Sequence, residues 1–167
     1  MSAGVSIRAA TPADRDAIRT VEEAAFGRKD EALLVDALVA AGDAVLELVA
    51  ETGGRIVGHI LFSRLTVERP QGGFAAVALA PLAILPDVQR QGIGAALVEE
   101  AHRRLRAAGE SLSVVLGDPA YYGRFGYARA AAAGFDSDYQ GEALQALAWG
   151  EAPRDGRLAY APAFSGL

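Results

Sequence analysis

Apolar and polar positions along the chain change period several times, and those changes mark out its elements. Val5–Ala9 reads as a short strand. Thr11, Pro12 and Asp14 then open a helix, with a hydroxyl at the N-cap, a proline at the first helical position and an acid near the positive end. Ile18, Val21 and Ala25 recur at helical spacing until Gly27. A second helix is predicted from Asp30 to Ala41, with Leu34, Leu38 and Ala41 inward and Gly42 as its stop. Val45–Glu51 and Arg55–Leu65 read as strands joined by Thr52-Gly53-Gly54, a hairpin signal. Gln71-Gly72-Gly73 turns into a strand at Ala75–Leu85. Pro81 within that strand predicts an edge, a bulge or the end of pairing on one side, because proline donates nothing to a ladder. Ile93, Leu97, Val98, Ala101 and Leu105 form a clean amphipathic stripe, in a helix that starts at Gly92 and closes at Ala108-Gly109. His102, Arg103, Arg104 and Arg106 read as a solvated face near its negative end. Leu112–Leu116 is the next strand, expected beside the one holding Pro81. Ala143–Trp149 and Arg157–Tyr160 read as a hairpin-like pair through Asp155-Gly156. Strands and helices alternate only partly, which predicts an α/β fold (α+β by some schemes) with a mixed sheet, in one domain over residues 1–167.

The junction before the amphipathic helix carries the first candidate chemistry. Leu85-Pro86-Asp87-Val88-Gln89-Arg90-Gln91-Gly92-Ile93-Gly94 takes an apolar strand through a polar loop into the helix. Gly92 and Gly94 lack Cβ atoms, so a ligand can come close to backbone N–H groups that have no partner within the helix. Together with the helix dipole, those groups suit an anion, phosphate above all. Arg90 adds a cationic fork. The same glycines also suit a plain strand–turn–helix junction. Two other phosphate loops are excluded: Ala95-Ala96 stands where a P-loop needs Lys-Ser/Thr, and Leu97 stands where a dinucleotide fingerprint needs a small residue.

Composition narrows the classes. Hydrophobic residues make up 51% and charged residues 22% of 167, the balance of an ordinary globular chain. A formal charge of −5 argues against nucleic acid as main partner. Without cysteine there is no disulfide, thiolate metal site or Cys nucleophile, and the only two histidines, His59 and His102, lack metal-ligand spacing, so no metal is expected. The first ten residues lack a signal pattern, and Phe74–Leu85 is too short to span a bilayer, so no membrane role and a cytoplasmic location are expected.

Gln89-Arg90-Gln91-Gly92-Ile93-Gly94 resembles the acetyl-CoA pyrophosphate loop of the GNAT acyltransferase superfamily, Gln/Arg-x-x-Gly-x-Gly/Ala, and Ile84-Leu85-Pro86 matches the Val-x-Pro before it. Tyr122, four residues before Gly126, resembles that superfamily's Tyr-x-x-x-Gly-Phe element. The stretch Gly117–Tyr127 looks like a bacterial branch of predicted N-acetyltransferases, with Tyr127 where Phe is commoner. The resemblance implies the GNAT fold: a mixed, mostly antiparallel central sheet flanked by helices, with a splayed strand pair whose gap admits the pantetheine arm of CoA. It implies acetyl-CoA as cosubstrate, held by Leu82, Ala83, Ile84, Gln89, Arg90, Gln91, Gly92, Ile93, Gly94 and Ala95, with Asp118, Tyr121 and Phe125 beside them. It also implies acetyl transfer to a primary amine of unknown identity. Relatives often pair through C-terminal strands, so a homodimer is a further expectation.

Acyl transfer from a thioester to an amine needs a polarised carbonyl, a proton removed from the amine and a proton for the departing thiolate. A tyrosine suits the last task, its free pKa of about 10 lying just above that of a thiol at roughly 8.5. Tyr122 is the candidate acid, and a backbone N–H at or near Ile84 the polarising group. Phe125 and Tyr127 read as packing, and Asp118 as the cap of the segment that Pro119 begins. The base stays open. Ala75–Ile84 holds neither acid nor histidine; His59 is one catalytic candidate, Glu22, Glu23 and Glu51 are others, and water with no dedicated base is another. Direct attack in a ternary complex is the simplest scheme. A silent acyl-CoA-binding sensor or partner module is the alternative function. Helices over Asp14–Ala41 and the C-terminal pair are expected to enclose the acceptor, with Trp149, Tyr160, Phe164, Asp136 and Asp138 as candidate lining.

Overall fold

The computed structural model describes residues 4–166. Among them, eight strands build one sheet: β1 (Val5–Ala9), β2 (Ala44–Thr52), β3 (Arg55–Glu68), β4 (Phe74–Ile84), β5 (Leu112–Leu116), β6 (Phe135–Asp136), β7 (Leu144–Ala148) and β8 (Gly156–Ala159). The main path runs β1-β2-β3-β4-β5-β7, antiparallel throughout except for the parallel β4–β5 pair. Helices α1 (Arg15–Phe26), α2 (Asp30–Ala40) and α3 (Ile93–Ala107) flank the sheet, and a short α4 (Pro119–Tyr122) follows β5. The expected mixed, mostly antiparallel α/β architecture is what forms.

Alternate residues of a strand face opposite sides, and β3 shows both layers at once. Gly58 lies against Leu97 of α3, while His59 meets Glu22 of α1. On the α3 side Leu48, Ile60, Phe62 and Leu79 pack with Leu97, Val98, Ala101 and Leu105. On the other side Val49 and Leu61 pack with Ile18, Leu34, Val35 and Leu38. Each side chain of this kind, fully buried, contributes roughly 1.5–3 kcal/mol.

Pro81 sits in a bulge. The β3–β4 register runs Ile60↔Leu82 and then Phe62↔Leu79, so Ala80 and Pro81 stand against Leu61 alone. The Ala80–Pro81 peptide is cis. Pairing of β4 with β5 covers Val77–Leu79 against Ser113–Val115 and stops there. Past Leu79 the two strands part, and a gap opens between them.

Three expectations change. Helix α2 ends at Ala40, and Ala41, expected inward, is exposed as its cap, one position past the last turn that faces the sheet. The C-terminal strands do not form a hairpin: β7 pairs with β5 over Leu112–Leu116, and β8 pairs with β3 and β6. The reason lies in the free edges. β5 has one side unpaired, and β3 outruns β2, whose pairing ends at Ser63, so Thr66–Glu68 is left for β8. Finally, His102 is buried rather than on the solvated face of α3, although Arg103 and Arg106 are exposed as expected.

Candidate active site

The edge of β4 that β5 abandons is polar by geometry. Leu85 N–H donates to the Val57 carbonyl at 2.9 Å. N–H groups alternate edges along a strand, so those of Ile84 and Leu82 face the gap. Gln89 closes the loop back onto the strand, its side-chain amide donating to the Ile84 carbonyl at 3.1 Å. Arg90 has φ 63, a left-handed backbone uncommon for a long side chain and concentrated at functional loops. The first bond of α3 runs from Ala96 N–H to the Gly92 carbonyl at 3.0 Å, which leaves the N–H groups of Ile93, Gly94 and Ala95 without helical partners. A Cβ at Gly94 would lie 2.6 Å from the Tyr121 hydroxyl, so the glycine lets the Tyr121 side chain sit directly over the loop.

A cavity of 660 Å³ runs along this loop. Leu82, Ala83 and Ile84 form one wall, and Gln89, Arg90, Gly92, Ile93, Gly94 and Ala95 another. Tyr121 and Arg124 stand opposite, and Ala25 and Phe26 close it from α1. Three residues expected here do not line it. Gln91 is exposed on the loop, Asp118 caps α4 by accepting from Ala120 N–H at 2.9 Å, and Phe125 packs on the Tyr121 ring at 5.3 Å. Arg124 was missed by the sequence reading. Its guanidinium lies 5.1 Å from the Tyr121 ring centre and 5.3 Å from that of Phe125. A cation set between aromatics at fixed spacing was the signal that pointed to it.

A second cavity, of 380 Å³, meets the first at Phe26 and Leu82, which line both. It fills the gap between β4 and β5 and extends to Glu31 and Leu34 of α2 and to Tyr139, Tyr160 and Phe164. Tyr160 and Phe164, two of the candidate lining residues, both face this cavity. Trp149 is instead 5.0 Å from the His102 ring, and Asp136 and Asp138 accept from Arg157 at 3.1 and 3.3 Å. No element near in sequence announces Phe26 or Tyr139 as lining; α1 and the C-terminal segment bring them in.

Tyr122 lines this second cavity beside Gly117. A Cβ at Gly117 would overlap the Tyr122 ring, so the glycine seats it. Tyr121 and Tyr127 hold the ring edge-on at 5.0 and 5.9 Å. Burial, with Tyr121 adding to it, pushes the Tyr122 hydroxyl up to about 12, so it is a proton carrier at neutral pH. Glu31 lines the same cavity and accepts from Arg28 Nε at 2.9 Å, which holds its carboxyl below the usual range.

His59 lines neither cavity. It is fully buried, Nδ1 meeting Glu22 Oε2 at 2.6 Å and Nε2 meeting Glu47 Oε2 at 2.7 Å, and Arg15 pairs with Glu47 in turn. Burial works against the imidazolium, yet the two carboxylates raise the His59 pKa above its ordinary value. Burial raises that of Glu22 and outweighs the His59 contact. Among the described residues no group of three or more His, Asp or Glu is placed to hold a metal ion, and no helix is long and apolar enough to cross a membrane.

Comparison with known proteins places this geometry in a family. The Acetyltransferase (GNAT) domain model matches residues 6–130. The Escherichia coli K12 protein named Uncharacterized N-acetyltransferase YjhQ is 40% identical over 116 residues, which cover 68% of this chain and 64% of that protein. The match therefore spans slightly less than two thirds of that relative's length. A GNAT family acetyltransferase from Brucella melitensis, solved in complex with acetyl-CoA, superposes with a TM-score of 0.82 at 37% identity, covering 96% of this chain and 97% of that one. The GNAT family N-acetyltransferase YhbS of Escherichia coli, solved in complex with CoA, superposes with a TM-score of 0.88 at 30% identity, covering 96% and 92%.

Proposed function

The chain belongs to the GNAT acetyltransferase family, and on that premise we propose that it transfers an acetyl group from acetyl-CoA to a primary amine by direct attack within a ternary complex. The catalytic domain in this reading is the whole of residues 1–167. The observation that carries it is the position of Tyr122, seated over Gly117 in the gap between β4 and β5.

Acetyl-CoA supplies an activated acyl thioester when bound. The residues present suit it: N–H groups at Ile93–Ala95 without helical partners, the Arg90 and Arg124 guanidinium groups in one cavity with them, and a backbone left open at Gly94. The N–H groups of Leu82 and Ile84 polarise the thioester carbonyl from the abandoned edge of β4. The amine nitrogen bonds to the carbonyl carbon, the C–S bond breaks, and the departing sulfur takes the Tyr122 proton. The proton lost by the amine passes to water at the cavity mouth and Tyr122 is reprotonated from solvent. With both ring nitrogens engaged, His59 has a positioning role in this scheme. It ties α1, which ends in Ala25 and Phe26, to the sheet.

Thiol release measured over a panel of amines tests the proposal. Tyr122→Phe is expected to lower kcat about 10²-fold or more while the affinity for acetyl-CoA stays within twofold. Unchanged turnover would remove Tyr122 from the chemistry. A wild type that binds acetyl-CoA and acetylates nothing would favour the sensor function.

A further inference from the structure

The walls of the 380 Å³ cavity carry a chemistry of their own. Four large apolar side chains among the described residues stay exposed: Phe26, Leu33, Leu116 and Tyr139. All but Leu33 line this one cavity. Single exposed apolar residues mean little, but a cluster around a concave site marks a surface that is covered in use. Inside, an aromatic ladder continues from the rim, with Tyr139 against Tyr160 at 5.4 Å and Tyr160 against Phe164 at 5.5 Å, all edge-to-face. Leu34, Leu79 and Pro81 add aliphatic wall.

The polar groups are few. Glu31 is the only charged side chain that lines the cavity, and both its oxygens accept from Arg28, at 2.9 and 2.5 Å, so an ammonium there would share the carboxylate with that guanidinium. The Tyr160 hydroxyl is shielded from solvent and makes no well-formed hydrogen bond among the described residues, Ser137 being only a weakly placed neighbour. A buried hydroxyl without a partner calls for one. A carboxylate and an unpaired hydroxyl in an apolar chamber complement an ammonium or amine group on an apolar body. The same walls would leave the hydroxyls of an amino sugar, or the second and third charges of a polyamine, desolvated and unpaired.

Resting on the acyltransferase reading, we propose that the acceptor is a small primary amine carried on an aromatic or branched apolar body. The body lies against the Tyr139–Tyr160–Phe164 ladder, and Glu31 with the Tyr160 hydroxyl admits the amine. The amine then reaches the junction at Leu82, where the two cavities meet beside Tyr122.

The test measures thiol release at saturating acetyl-CoA with 2-phenylethylamine, tryptamine, spermidine and glucosamine, together with calorimetric binding of each amine to the CoA-saturated protein. The two aromatic amines are expected to exceed the other two at least tenfold in kcat/KM and to bind the CoA complex. Tyr139→Ala, Phe164→Ala and Glu31→Gln are each expected to raise KM for 2-phenylethylamine at least fivefold, with kcat and acetyl-CoA affinity little changed. Preference for spermidine or glucosamine would overturn the acceptor class and leave the acyltransferase reading standing. So would at least tenfold tighter binding of hexanoyl-CoA than of acetyl-CoA that Tyr139→Ala or Phe164→Ala abolishes, since the cavity would then house the acyl chain. Acetyl-CoA binding without thiol release for any amine would end both.

Discussion

The chain's two histidines lie on opposite faces of the sheet, and their surroundings push them in opposite directions. His59 points from β3 toward α1 into a set of ionisable partners: Glu22, Glu47 and, through Glu47, Arg15. With His59 protonated the set holds two positive and two negative charges, which is how a buried ionic group avoids a large desolvation penalty. His102 points from α3 into rings, with Phe62, Tyr127 and Trp149 centred 6.2, 5.4 and 5.0 Å away. Among the described residues its one side-chain hydrogen bond is with the Tyr127 hydroxyl, at 3.0 Å, and that hydroxyl also meets Ser113 Oγ at 2.7 Å. Burial, with Arg106 adding to it, lowers the His102 pKa to about 4. One histidine is held toward its charged form by the carboxyl groups on either side of it, and the other is kept neutral by a cage of rings. Residue type alone says nothing of which is which; the charges within hydrogen-bond reach decide it. Both networks stand behind the site: the first fixes the helix that ends at Phe26, the second backs the ring of Tyr127 against Tyr122.

The comparison breaks hardest at His59. His59→Leu leaves two buried carboxylates facing each other without their shared cation, and is expected to destabilise the fold by about 3–5 kcal/mol in chemical denaturation at pH 7. Adding Glu22→Gln should recover part of that loss; a single variant as stable as wild type would dissolve the clamp.

Next comes pH, where the two histidines differ in sign. Folded His102 titrates near 4 and an unfolded histidine near 6.5, so the unfolded chain binds more protons in between. Stability should therefore fall as pH drops from about 6.5 toward 4, by on the order of 3 kcal/mol in all from this group. His59, with its raised pKa, contributes in full below about 6.5 and loses that contribution only as pH rises through its folded value. Denaturation midpoints from pH 4 to 9 should show His102→Gln flattening the acid limb and leaving the alkaline one. An acid limb as steep as in wild type would contradict the assignment.

Smaller again is Tyr127→Phe. Removing its hydroxyl strands Ser113 and His102 in the core, an expected loss of about 1–3 kcal/mol. The ring that backs Tyr122 remains, so thiol release should change less than threefold. The smallest effect is Asp118→Ala, which removes the cap of α4 and should lower stability by about 1 kcal/mol.

The parts of this site that could be read beforehand are those whose cause is local. The loop at Gln89–Ala95 announces itself because a helix start, its glycines and its unpartnered N–H groups all fall within seven residues. Tyr122 follows from its spacing to Gly126. Phe26 and Tyr139 could not be read this way, because the end of α1 and the segment after β6 meet the gap between β4 and β5 only in the folded sheet. Nor could the partners of His59, which come from 37 and 12 residues away. His102 is different. It lies four residues after Val98 and three before Leu105, on the inward stripe of α3, and the arginines around it masked a periodicity that was there to be counted. The C-terminal pair misled because a turn such as Asp155-Gly156 says where a chain bends, while the strand edges left open by β3 and β5 decide what it pairs with.

The most direct test is calorimetric titration of acetyl-CoA into the wild type and into Ala95→Glu. A glutamate in the first turn of α3 favours the helix through its dipole, so the variant should fold at least as well, yet it places a negative charge in the cavity where the pyrophosphate would lie. One-to-one binding by the wild type, weakened at least tenfold in the variant, is the expected result. A folded wild type that binds no acetyl-CoA, or a variant that binds it equally well, would contradict the assignment of this loop and the acyl transfer built on it.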